Sequence, residues 1–209
     1  MTATTEQNAA GLEATAAWSR RVRRVGGFIQ AAFAAFWLVR GSLVIGGGVG
    51  AGLAAAFAVV VAAVVVYAIR VTAGVASRPT SSEAKRIEGA VTIATIVQLV
   101  ASFAVPALVI ATGHSDWVLP SIAITIGPLL LWLDHRVHIP RYRFVGWALI
   151  VGPVILVVVM SGTALAATTG IAAGVVLVAT ATAGFHDLAL INHTRTEGRS
   201  TRLAALLDD

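Results

Sequence analysis

Six apolar runs, each near twenty residues long, leave this chain few ways to fold. A helix needs about 20 residues to cross the ~30 Å hydrocarbon core of a bilayer. The runs cover roughly residues 25–45, 51–69, 89–112, 117–133, 144–160 and 164–185. Only 12% of the 209 residues are charged and 57% are hydrophobic. A soluble domain is about a quarter charged, so the composition belongs to lipid rather than to a soluble helical bundle. The expected fold is therefore all-α, a polytopic membrane protein built as one bundle of six transmembrane helices. Residues 1–24 form a polar N-terminal segment, 25–191 the membrane domain and 192–209 a polar tail.

The punctuation between the runs fits this layout. Gly46-Gly47-Gly48-Val49-Gly50 reads as a turn. Thr80 and Glu83 stand at capping-box spacing ahead of the third helix. Gly113 is a helix stop, Pro140 bars continuation of the fourth helix, and Ser161-Gly162-Thr163 turns the chain into the sixth. The basic cluster Arg20-Arg21-Val22-Arg23-Arg24 precedes an apolar run, as in a signal peptide. Nineteen residues come before it, however, and Arg40 occupies the region where a cleavage site would lie. An uncleaved first helix is the reading.

Charge and aromatic residues give two independent checks. Six spans put both termini on one side, together with fourteen of the fifteen basic residues; Arg40 is the exception. The positive-inside rule then places both termini in the cytoplasm of a cell membrane. Every Trp and Tyr falls near an expected interface, Trp37 and Trp117 near the outer one. The formal charge of +5 resides at the ends of the spans, where lipid headgroups meet it, and does not indicate nucleic-acid binding. Arginine outnumbers lysine fourteen to one, a bias of GC-rich bacterial genomes. The absence of cysteine excludes disulfides, thiolate metal sites and cysteine nucleophiles.

Helices in lipid associate through close backbone approach and buried hydrogen bonds. Small residues recur at four-residue spacing as Gly27, Ala31, Ala35; as Ala54, Ala58, Ala62; and as Ala90, Ala94, with Gln98 and Ser102 continuing the stripe. Gly170 and Gly174 form a further pair, suited to packing within the chain or to a homo-oligomer contact.

Three sets of residues are candidates for chemistry. Arg40 lies near the outer edge of the first span, where its stem lets it reach outward and meet Asp116. Gly127-Pro128 and Gly152-Pro153 break the fourth and fifth spans at about 9 and 13 Å from the inner boundary. Paired breaks free carbonyls for a substrate, and Gln98, about 15 Å from Glu88, would be the nearest polar wall. Proline is also an ordinary residue of membrane helices, where it merely kinks them. The third set is an inner polar ring of Glu88, Asp134, His138, His186 and Asp187. Carboxylates and imidazoles together suit a metal or a proton relay, but such residues also decorate helix ends.

Motifs for phosphate binding, serine hydrolysis or zinc proteolysis are missing, and no cofactor is expected outside the metal reading of the inner ring. All five histidines lie at or outside the span boundaries, which excludes a haem held between helices. The leading expectation is a small permease or transport-associated protein with its site at Gln98, Pro128, Pro153 and Arg40. The alternative is a non-catalytic structural or partner-binding membrane subunit. A metal-dependent membrane enzyme using Asp134, His138 and His186 is the third reading. The one partner the sequence requires is the lipid bilayer.

Overall fold

A computed structural model describes residues 2–73, 82–137 and 140–207. Six helices follow one another: α1 (Thr2–Ile45), α2 (Gly47–Val71), α3 (Ser82–Ala111), α4 (Val118–Val137), α5 (Pro140–Val159) and α6 (Gly162–Leu207). A 3-10 turn, Ser115–Trp117, leads into α4. Each of the six contains a stretch long and apolar enough to cross a bilayer. The ends carrying Arg24, Arg70, Arg136 and Arg141 form the basic end of the bundle. The connections at Gly46, Gly113 and Gly162 form the opposite end.

Both outer helices outrun their apolar stretches. α1 has 44 residues and α6 has 46, about 66 and 69 Å at ~1.5 Å per residue. The boundaries expected at residues 24 and 191 therefore fall inside continuous helices. The polar sequence beyond these boundaries still has good helix formers, above all Ala and Arg.

The α1–α2 connection is tighter than the five-residue glycine turn expected. Only Gly46 lies outside helix, with φ +77°, and Gly47 at φ +57° already opens α2. These two positions need glycine, because a Cβ is strained in the left-handed region. Gly50 is instead a helix contact: a Cβ there would lie 2.6 Å from the Ser42 carbonyl oxygen. The glycine stop at Gly113 (φ +82°) and the division at Pro140, the first residue of α5, are as expected. Of the capping pair, Thr80 and the Glu83 side chain lie outside the described residues.

α1 and α6 form the spine. On α1 the buried stripe is Gly27, Gln30, Ala31, Ala34, Trp37, Leu38, Gly41 and Ser42, alternating steps of three and four. Ala35 is only half-buried because steps of four alone drift around a 3.6-residue helix. The same drift turns Ala58 and Ala62 of α2 outward, while Val61 and Ala68 are buried. α4 and α5 complete the main core, where Trp37 packs among Ile122, Ile126, Leu149 and Leu177. A second core joins Ala31, Ala68, Phe185 and Leu188 of α1, α2 and α6. The side chains of Trp37 and Tyr142 are thus buried among the helices rather than exposed on the surface of the bundle. Trp37 follows Gln30 by seven residues, which puts both on the buried stripe.

α3 is peripheral. Only 11% of its apolar window is buried, against 50% for α6. It packs on α4 and barely touches α1.

Candidate functional site

The separation of α3 from α1 leaves a cleft of about 660 Å³ with α4 as its floor. That volume lies within the ~300–1,000 Å³ range of small-molecule sites. Gln30, Phe33 and Trp37 of α1 form one wall, Ala94, Gln98 and Ser102 of α3 the other, and Ile122 and Ile126 of α4 the floor. Arg21 and Tyr142 lie toward the basic end. Tyr142 reaches under α1 because residue 26 is glycine; a Cβ there would sit 2.7 Å from its hydroxyl. The rim residues Ile29 and Phe36 of α1, with Leu99 and Phe103 of α3, are exposed, so the cleft opens sideways on the outer surface of the bundle.

Three of the polar side chains that line this mostly apolar surface are more than nine-tenths buried and carry an unpartnered atom. Gln30 is 8% exposed, Gln98 6% and Trp37 0%. Gln30 Nε2, Trp37 Nε1 and Gln98 Oε1 have no hydrogen-bond partner. The Gln98 amide donates through Nε2 to Ser102 Oγ at 3.0 Å. Turning that amide over would pair its oxygen with Ser102 and strand its nitrogen, so one end of the amide stays buried and unpaired either way. A buried polar group left unpaired costs about 1–3 kcal/mol. Three of the five buried side-chain atoms without a partner among the described residues belong to residues lining this one cavity; Ser42 and Thr169 carry the other two.

The Gly-Pro breaks do not belong to this cavity. Neither Pro128 nor Pro153 lines it. Pro128 is exposed and Pro153 buried, and both α4 and α5 continue through their prolines. Gly127 serves packing: a Cβ on it would clash with Ile150 and lie 2.7 Å from the Gly146 carbonyl oxygen. Gly152 has open space around it. Arg40 is exposed and makes no ion pair among the described residues. Asp116, its expected partner, instead accepts a hydrogen bond from the backbone N–H of Gly162 at 3.0 Å. A carboxylate at the start of α6 meets unpaired N–H groups and the positive helix end.

The polar ring at the basic end is organised by arginines. Asp134, 5% exposed, accepts from Arg143 Nε at 3.0 Å, which ties α4 to α5. Arg141 pairs with Asp187 and ties α5 to α6. His186 is exposed and makes no hydrogen bond to Asp134. Arg136 stacks on Trp132, 5.5 Å from the ring centroid. His138 and the Glu88 side chain lie outside the described residues. Among those described, no three His, Asp or Glu side chains gather in a metal-binding group. Gly170 and Gly174 lie against Gly41 and Leu38 of α1 in the same chain.

Gln30 and Trp37 are the cleft residues that sequence reasoning passes over. The signal for Gln30 was present: of the three glutamines in the chain, the two inside apolar runs both line the cleft.

Fold and site together define an all-helical bundle of six apolar helices carrying a lateral, mostly apolar cleft with buried amides. No protein-family model, curated protein or solved structure matches the chain.

Proposed function

We propose that this chain is an integral membrane protein with both termini in the cytoplasm, and that it works as a small permease or transport-associated protein. Its substrate site is the cleft between α1, α3 and α4. The observation that carries the reading is a pair of buried amide atoms without a hydrogen-bond partner, Gln30 Nε2 and Gln98 Oε1, on residues that line opposite walls of one cavity. The loose attachment of α3 supports it further. A helix held mainly by α4 can swing toward or away from α1, the kind of shift by which a cleft exposes and encloses a substrate. This moves the site from the Gly-Pro breaks to the cleft and retains Gln98. A structural or partner-binding subunit is the second reading, favoured by the broad exposed apolar faces of α2 and α3.

Water access separates the two. The chain has no native cysteine, so single cysteines report cleanly. Gln98→Cys should react with a charged, membrane-impermeant thiol reagent from the cytoplasmic face. Val97→Cys, at the same depth on the exposed face of α3, is the control. Transport predicts a rate for Gln98→Cys about tenfold or more above the control, since a thiolate reacts only where water solvates it. Equal, slow reaction at both positions from both faces would support the structural subunit instead.

A further inference from the structure

We infer that the ligand of the cleft is a neutral amphiphile that enters sideways from the bilayer. Its hydrogen-bonding groups, a carbonyl, amide or hydroxyl, lie within an apolar frame rather than at its end. This rests on the cleft being a binding site, and it names the chemistry of what binds.

Depth decides against an ordinary phospholipid. Gln30 stands six residues beyond Arg24 and Trp37 thirteen, about 9 and 20 Å along α1. Gln98 is ten residues beyond Glu88, about 15 Å along α3. Gln30 and Gln98 therefore lie well inside the hydrocarbon layer, with Trp37 toward its outer side. A phospholipid seated in the cleft keeps its polar atoms at the boundary and offers only methylenes at these depths, leaving all three groups unpaired. A matching molecule carries polar atoms along its length.

Charge decides against an ion. Among the described lining residues Arg21, at the basic end, is the only ionised side chain. An ionised group at mid-depth would lose its water and gain only amide and indole partners, a heavy cost in lipid. Amides and an indole N–H match neutral carbonyls and hydroxyls. The exposed rim of Ile29, Phe36, Leu99 and Phe103 gives such a molecule an apolar entry without crossing water.

The test uses the full chain in lipid nanodiscs and three photoactivatable diazirine probes of equal length. One is an alkyl chain with an internal amide, one a plain hydrocarbon, and one a phosphatidylcholine with the diazirine on its acyl chain. Labelled residues are mapped by mass spectrometry. The amide probe should label Phe36, Leu99 and Phe103 saturably, about fivefold more than either other probe, the worth of one neutral hydrogen bond. Gln30→Leu and Gln98→Leu should each remove most of that preference and leave labelling at Val59 and Val60 of α2 unchanged. Each substitution removes a buried unpaired atom, which offsets the Ser102 bond that Gln98→Leu also loses, so melting temperature should not fall markedly in either. Equal labelling of the cleft by all three probes, indifferent to both substitutions, would overturn the inference. Selective amide labelling with Gln98→Cys closed to water would uphold it while the transport reading fails. Water access without amide selectivity would do the reverse.

Discussion

Gly170 of α6 lies directly against Gly41 of α1: a Cβ on Gly170 would come 2.6 Å from the Gly41 Cα. The two backbones cross at van der Waals distance, and no side chain fits between them. Gly170→Leu should therefore force the spine helices apart and lower stability by at least about 2 kcal/mol, an overpacking cost. Thermal unfolding of the purified protein in detergent checks this. Gly48→Leu, in open space beyond the crossing, is the matched control and should change little.

The two Gly-Pro breaks look alike in sequence and should respond differently. Gly127→Ala drives a methyl into Ile150 and the Gly146 carbonyl, where α4 meets α5. It should destabilise by about 1–3 kcal/mol. Gly152→Ala meets no atom within 4 Å. It should be neutral or stabilising by up to about 1 kcal/mol, the helix preference of alanine over glycine. Equal losses at both positions would restore the breaks as a matched pair.

Asp134 and Arg143 share a bond but not an environment. The Asp134 side chain is 6% exposed and that of Arg143 70%. Arg143→Gln strips a buried carboxylate of its charged donor and should cost about 1–3 kcal/mol. Asp134→Asn removes the buried charge and leaves Arg143 in water, so its cost should stay below about 1 kcal/mol. A thermal shift series on both variants gives the order directly.

Topology is tested with cysteines at the two ends of the bundle. The motive is the concentration of basic residues at one end. Lys85→Cys and His135→Cys, both exposed, should label only from the cytoplasm; Gly48→Cys and Ser115→Cys only from outside. Labelling of His135→Cys and Ser115→Cys from the same face is incompatible with six spans, because α4 separates them.

The six helices were legible because length and apolarity suffice to mark them, and because Gly113 and Pro140 stop helices by local chemistry. Which face each helix buries was not. Lipid is as apolar as the bundle interior, so the outward and inward sides of α2 read alike, and Ala58 and Ala62 gave no sign of facing out. Trp37 shows the same limit. Its distance along the helix is legible, but only packing reveals that its direction around the helix, shared with Gln30, buries it. Gln98 was legible as a polar residue in an apolar run. Gln30 carries the same signal, but it stands close enough to the arginine cluster to read as interfacial. The cleft itself depends on α3 standing off α1, a tertiary relation with no local signature.

The central claim is that this gap holds a molecule. A density map of the full chain from crystals grown in a lipidic mesophase tests it most directly. The prediction is elongated non-protein density between α1 and α3, with polar features within about 3.2 Å of the Gln30 and Gln98 amides. A map in which α3 closes onto α1, with Gln30 and Gln98 bonded to each other and no space between the helices, would contradict it.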